Sequence, residues 1–492
     1  MAAIITNKFR FHNAEKFSTA LTGSSNVFYL GIGRPQSFTT STRPDSRTVN
    51  EGSDASPLTP VDSIQEEFYT FDDLLAAKKV ATTDISYVIP RRNWTSGTVY
   101  DYYRHDYGNR ITGTTTTQTS DSGASTLWDA TYYVVSSTYQ VFKCLDNNSG
   151  ANSTVEPSVS DGETSILTTG DGYKWKYMYT LSAAQQSNFL STDFMAVSTN
   201  TTVSSAATDG AINIVKIKSA GTGFTTTAGS TISAIPIRGD GSSGTVSVTL
   251  TGGAISGVTV TNIGQDYTFG YITVADINAG TNSAGGGSGA ELDCIIEPKG
   301  GHGSNAIEEL GGYFVMLNTN FEASEAANSG DFTTANDFRR VVLLRDPKSG
   351  GSAASANTLR GTKAVLVTSP SGNFTVDEEI NQATTGAVGK VVEWDSSNNI
   401  LYYIQTRFND EGVDSNGNLT AFSGTNTITG QSSGVSATPS SSSTTVDSVV
   451  FTSGYNSGEI DADEGDVIYI ENRSPITRAS DQTENVKLVI EF

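Results

Sequence analysis

The residues that could do chemistry in this chain are few and badly placed for it. Three histidines, His12, His105 and His302, lie far apart, and none has a partner at helical metal-ligand spacing. Gly300-Gly301-His302-Gly303 reads as a turn that contains a histidine. Gly386-Ala387-Val388-Gly389-Lys390 is followed by Val391 rather than Ser or Thr, so no hydroxyl stands where a phosphate loop needs one for its magnesium ion. Asp414-Ser415-Asn416-Gly417-Asn418 opens like a calcium loop, but its sixth position is Leu419 instead of Gly and its twelfth is Thr425 instead of Glu, which predicts a polar turn. Glycoside hydrolysis needs two carboxyl groups about 5–10 Å apart. In a chain with 52 acidic residues the neighbours Glu308-Glu309, Asp377-Glu378-Glu379 and Asp461 to Asp466 read as solvated faces or turns. The expectation is a protein that is not an enzyme and holds no metal and no cofactor.

Recognition chemistry is better represented. Arg91 and Arg92 follow Ile89-Pro90 and precede Asn93-Trp94, and planar guanidinium groups hold carboxylates in pairs and stack on aromatics. They suit either an ion pair inside the chain or a contact between subunits. Tyr100, Tyr102, Tyr103 and Tyr107 form a tyrosine-rich stretch that fits sugars, partner surfaces or half-buried strand positions. Arg91, Arg92, Trp94, Tyr102, Tyr103, Asn472 and Arg473 are the candidate subunit-contact residues.

Composition narrows the partners. Lys and Arg number 30 against 52 Asp and Glu, a net charge of −22 that is spread along the chain, so the surface repels phosphate backbones and anionic lipid. Neither nucleic-acid binding nor membrane insertion is expected, since no run approaches the ~20 apolar residues of a span. Cys144 and Cys294 each sit inside a β-like run and read as two buried thiols, compatible with assembly in a reducing cytoplasm. No secretion signal is legible in MAAIITNKFRFHNAEKF.

A chain of 492 residues exceeds what one core sustains. The pattern predicts a mainly β, multi-domain protein: β-sandwich-like layered sheets, a few short helices and two inserted small β modules. Helices are expected at Asn13 to Leu21 and Thr70 to Val80. From about Ala207 the composition turns to Gly, Ser, Thr and Val, and Val215 to Phe224 is echoed by Val258 to Tyr267, which marks a duplicated module over 207–300. A second module is expected over 351–454, where Ile380 to Gly386 is echoed by Ile428 to Gly434. The segments 1–206, 301–350 and 455–492 then form one body.

The last 28 residues, GDVIYIENRSPITRASDQTENVKLVIEF, carry two strand-like runs around a polar stretch. Val486, Leu488, Ile490 and Phe492 alternate with Lys487, Val489 and Glu491, the period of a half-buried strand, and the two runs are expected to form a hairpin-like unit in the same sheet system as the N-terminal strands. The wording Ile468-Tyr469 to Glu471-Asn472-Arg473 to Pro475-Ile476 resembles the C-terminus of the baseplate wedge subunit encoded by gene eight in T-even-type contractile-tailed phages. Further segments resemble that family's landmarks in the same order: Ile5 to Arg10, Phe28 to Arg34 (FYLGIGR), Val88 to Trp94 (VIPRRNW), Val141 to Asp146 (VFKCLD), Thr154 to Pro157, Asp171 to Tyr179 (DGYKWKYMY) and Phe338 to Pro347 (FRRVVLLRDP).

The resemblance covers about residues 1–200, 335–347 and 460–492. The two Gly/Ser/Thr-rich modules look like insertions that the T-even form lacks, as in enlarged wedge subunits of cyanobacterial phages. It implies a virion structural protein of the tail baseplate, assembled in the host cytoplasm, that forms a homodimer, joins neighbouring wedge proteins and transmits conformational change at infection. A receptor- or glycan-binding tail protein is the competing expectation, with glycan degradation behind it.

Overall fold

The computed structural model describes residues 4–42, 46–110, 116–322, 336–407, 411–477 and 483–492. The protein is mainly β, its strands pairing in antiparallel sheets with short helices between them. It divides into two compact units, one of Met1–Lys16, Ser86–Met316 and Val489–Phe492, the other of Phe17–Ile85 and Leu317–Leu488. No helix among the described residues is long and apolar enough to cross a membrane.

In the first unit, Gln140–Asp146 and Lys174–Thr180 pair at the centre of a four-stranded sheet, with Trp175 opposite Cys144. Both strands are almost wholly buried, which is why they read as aromatic and apolar runs rather than as an alternation. Tyr173 stacks on Trp175 at 5.4 Å between ring centroids, and Tyr100 meets the same indole edge-on at 5.9 Å. The DGYKWKYMY landmark is therefore a core sequence.

Residues 207–300 fall within this unit and carry their own sheets and their own apolar core, from Ile212 through Ile232 and Val248 to Ile296. The sequence echo becomes a repeated backbone device. Gly221 and Gly264 both adopt φ +64, a left-handed conformation that favours glycine. A Cβ at either would lie within 2.8 Å or less of the aromatic ring three residues on, Phe224 or Tyr267. Each copy thus turns on a glycine so that its aromatic side chain can fold back over it into the core.

In the second unit a five-stranded sheet runs in the order Thr358–Arg360, Leu74–Lys79, Phe28–Gly33, Phe338–Arg345, Asp466–Ile476. Here two expectations need correction. The helix expected over Thr70 to Val80 is instead the end of a helix, Ile64–Asp72, followed by the strand Leu74–Lys79. Leu74, Leu75, Ala76 and Ala77 are buried in succession inside a sheet covered on both faces, so the run has no polar side and resembles a helix by composition alone. The N-terminal helix also begins earlier than expected, spanning Asn7–Thr22.

The C-terminal hairpin is the second correction. Asp466–Ile476 does join the sheet of the N-terminal strands, beside Phe338–Arg345, but Thr483–Glu491 belongs to a different sheet, next to Phe314–Glu322. The expected alternation is present, with Glu484, Val486 and Leu488 turned inward. The two runs are consecutive in sequence without being partners. Of the polar stretch between them, residues 478–482 lie outside the described residues.

Residues 363–456 build a seven-stranded sheet with a core of Val365, Phe374, Ile380, Val391, Tyr403, Phe422 and Ile428. The two echoed segments lie side by side, with Ile380 opposite Gly430 and Asn381 opposite Thr429. Each enters a turn at a glycine of positive φ, Gly386 and Gly434.

Candidate functional site

Of the candidate contact residues only Asn472 and Arg473 lie within a strand, and the others follow the irregular chain after Pro90. Arg91 donates from Nε to Asn93 Oδ1 at 2.9 Å and from Nη1 to the Ser191 carbonyl at 2.9 Å. Arg92 bonds the Ala130 carbonyl and sits 4.7 Å above the Tyr133 ring. Neither has a carboxylate partner among the described residues, so these arginines brace carbonyls and an aromatic face. Trp94 Nε1 donates to Ser153 Oγ at 3.0 Å, and its ring packs against the Tyr173–Trp175 core.

Tyr102 lies against an ordered row of side chains on the sheet of residues 214–295. Arg238 is opposite Tyr271, Tyr271 is opposite Asp293, and Asp293 is opposite Lys216. On this row Lys216 reaches Asp146 at 2.6 Å and lies 4.8 Å from the Tyr102 ring, while Arg104 binds Asp293 at 2.8 Å. Arg104 also grips Asp106 through both Nε and Nη2 at 2.8 Å. Residues 207–300 are thereby fastened to 102–146 by ion pairs and a cation–π contact, the geometry in which guanidinium and ammonium groups add most.

Tyr103 is only 4% exposed and looks onto a buried ionic cluster that sequence reasoning did not assemble. Lys143 Nζ donates to His302 Nδ1 at 2.9 Å and to Glu309 Oε2 at 2.8 Å, and it stands 4.2 Å from the Tyr103 ring centroid. With Lys143 donating, Nδ1 is the acceptor and the imidazole proton sits on Nε2. Glu309 Oε1 accepts the backbone N–H groups of Gly303 and Asn305, and Glu297 Oε2 accepts that of His302. Burial alone would favour a neutral Glu309, but the adjacent Lys143 ammonium holds its carboxyl down at about 2. Burial, reinforced by the neighbouring ammonium, lowers His302.

This cluster faces a cavity of about 1010 Å³, whose lining also includes Trp128 and Tyr313. Its groups are nonetheless occupied. Both oxygens of Glu309 are engaged in fixing the loop around His302 and in neutralising Lys143, an arrangement that holds shape. Among the described residues no group of three or more His, Cys, Asp or Glu could hold a metal ion. The Asp414 turn is as expected: its Oδ1 accepts the N–H groups of Asn416 and Asn418.

Two other carboxylates act as backbone clamps. Asp171 accepts the N–H groups of Thr154, Val155 and Tyr173; against the opposing effect of burial, these and the Thr169 hydroxyl take it down to about 2. Asp101 accepts the N–H and hydroxyl groups of both Ser122 and Thr131.

In the second unit the landmarks FRRVVLLRDP and ENR meet. Successive side chains of a strand point to opposite faces, so Arg339 and Arg340 diverge. Arg339 grips Asp54 through Nε at 2.9 Å and Nη2 at 3.0 Å. Arg340 donates from Nε to Asn472 Oδ1 at 3.0 Å, from Nη1 to Thr70 Oγ1 at 3.2 Å and from Nη2 to Glu66 Oε1 at 2.7 Å. Asn472 in turn donates to the Leu58 carbonyl at 3.1 Å. Behind them Asp73 is wholly buried, and that burial lifts its carboxyl to about 6 despite Arg340 and Arg34 nearby. Asn472 is thus a polar hinge between the edge strand and the helix Ile64–Asp72, while its neighbour Arg473 is exposed.

Residues 412–492 match the family described as "Bacteriophage T4, Gp8". The matched span starts within the sheet of residues 363–456 and runs through both C-terminal strands, so it includes Asn472 and Arg473. It supports a gene-eight baseplate wedge subunit, and with it a structural role in a phage baseplate, on the C-terminal part of the chain. No curated protein matches the chain.

Proposed function

From a C-terminal part that matches the gene-eight baseplate wedge family, we propose that this protein is a structural subunit of a contractile-tail baseplate wedge. In this reading it forms a homodimer through the body, joins neighbouring wedge proteins during assembly in the host cytoplasm, and passes on conformational change at infection. It carries out no catalysis. Residues 207–300 and 351–454 are modules inserted into a body made of 1–206, 301–350 and 455–492. The matched span, with the Asn472 hinge inside it, is the observation that carries the reading. Of the candidate contact residues, Arg473 is the one left exposed beside that hinge, and Arg91, Arg92, Trp94 and Tyr102 keep partly open faces.

The test is a cryo-EM map of the intact tail, with the isolated chain measured by light scattering. The expectation is a copy in each baseplate wedge and a solution mass of twice the chain. Density confined to fibres or to the tail tube would overturn the wedge assignment, and a monomer would overturn the dimer.

One observation favours the second reading, a receptor- or glycan-binding tail protein. Phe269 and Tyr271 are 55% and 50% exposed beside Arg238, and Asp240 fixes their turn by accepting the N–H groups of Thr268 and Phe269. Exposed, preordered aromatics stack on sugar faces as well as on protein. Binding to a host-surface glycan that disappears in Phe269→Ala/Tyr271→Ala would move the assignment there.

A further inference from the structure

Leu58, Val61, Ile64 and Phe68 crowd four large apolar side chains into eleven residues, and all four are exposed, Val61 at 67% and Ile64 at 69%. Ile64 and Phe68 are one turn apart on the helix Ile64–Asp72 and share a face. Ser63 caps that helix, its hydroxyl accepting the Glu66 N–H at 3.2 Å, so the stripe is held in place rather than trailing. At its other end Leu58 is fastened to Asn472, and through Asn472 to the strand Asp466–Ile476.

That strand is the last of its sheet. Its inner side pairs with Phe338–Arg345, and among the described residues no further strand lies beyond it. Three residues, Arg473, Ser474 and Pro475, bulge opposite Arg339 and blunt its far end, the way natural edges are protected. A second irregularity lies between Val467 and Tyr469, where Ile468 has no partner opposite Leu343 and Leu344 and is exposed. The apolar stripe and this twice-bulged outer strand are linked through Asn472.

The rim is acidic. Asp62 and Glu67 flank Val61, Ile64 and Phe68, and neither has an ion-pair partner among the described residues. We propose that this surface docks a different protein of the same baseplate, through a segment that is apolar at its centre and basic at its edges. The proposal rests on the wedge reading. A second copy of this chain fits worse, because a two-fold contact sets one patch against itself. Asp62 and Glu67 would then meet their own equivalents in a chain of net charge −22, and like charges brought together across an interface oppose association.

The experiment is coexpression of the full chain with the phage's other baseplate wedge subunits, followed by sedimentation to read the fraction carried into wedge-sized particles. Two variants are compared with the natural chain, Val61→Ser/Ile64→Ser and Asp62→Lys/Glu67→Lys. Each is expected to lower incorporation at least tenfold while the circular-dichroism melt and the light-scattering mass of the isolated chain stay unchanged. The lysine variant should also lose the salt dependence of assembly seen for the natural chain between about 50 and 300 mM salt. If the natural chain joins and both variants join equally well, the docking surface is wrong and the wedge reading stands. If the variants change the mass of the isolated chain to that of a monomer, the surface is a contact between copies and the proposal falls. If the natural chain joins no wedge, the wedge reading fails and takes the proposal with it.

Discussion

Arg340 and Asn472 stand 132 residues apart in sequence and 3.0 Å apart in space. The contact explains why two polar landmarks recur among apolar strands: Asn472 accepts from a nearly buried guanidinium and donates onward to Leu58, so that one amide orders both the sheet edge and the segment before the helix. Removing it leaves one N–H of a charged group without its acceptor.

Asn472→Ala should therefore destabilise the protein by about 1.5–3 kcal/mol, the range for a hydrogen bond to a charged group. Arg340→Lys should cost at least as much, since one ammonium cannot reproduce a fork that reaches Asn472, Thr70 and Glu66 in three directions. Urea midpoints for the two variants check this. Midpoints unchanged from the natural chain would mean that the hinge is ornamental.

Lys143→Met would strand the Glu309 carboxylate in the interior, a loss of about 3–5 kcal/mol. The double variant Lys143→Met/Glu309→Gln keeps an oxygen for the Gly303 and Asn305 N–H groups and removes the uncompensated charge. It should recover most of the stability. A double variant as weak as the single one would show that Lys143 matters for packing on Tyr103 rather than for its charge.

Acid should act through the same carboxylate. Glu309 is held at about 2 against an ordinary value of 4.5, so between those limits the unfolded chain binds more protons than the folded one. Its contribution is complete above about pH 4.5 and is lost as pH falls toward 2. It is on the order of 3 kcal/mol. Unfolding free energies measured from pH 6 to pH 3 should fall steeply in the natural chain, and the slope should be smaller in Glu309→Gln. Asp171, also held at about 2, keeps a residual slope in that variant.

What the sequence disclosed and what it hid follow a physical line. Patterns that repeat at short range were legible: the alternation at Val486 and Leu488, and the echo whose two copies became the Gly221/Phe224 and Gly264/Tyr267 turns. Leu74 to Ala77 misled because a strand buried on both faces has no period to read. The Lys143 cluster stayed hidden because its partners are 159 and 166 residues away, and an isolated histidine in a glycine turn gives no sign of what it meets. Tyr102 and Tyr103, similar on paper, part company in space: one takes Lys216 and the other roofs the buried ammonium.

The C-terminal strand offers the last test. Removing residues 486–492 takes away Val486 and Leu488, both buried, together with the half-buried Ile490 and Phe492. Burying a side chain of this kind is worth roughly 1.5–3 kcal/mol, so the two buried residues alone account for about 3–6 kcal/mol. A typical domain has about 5–15 kcal/mol in total. The truncation also removes Glu491, the ion-pair partner of Arg10 at 3.0 Å. The truncated chain is expected to be insoluble or to melt far below the natural one, whereas Glu491→Gln, which loses only an exposed pair worth about 0–1 kcal/mol, should melt within a few degrees of it. A truncated chain that melts normally would show that the strand is peripheral, and that the sheet beside Phe314–Glu322 closes without it.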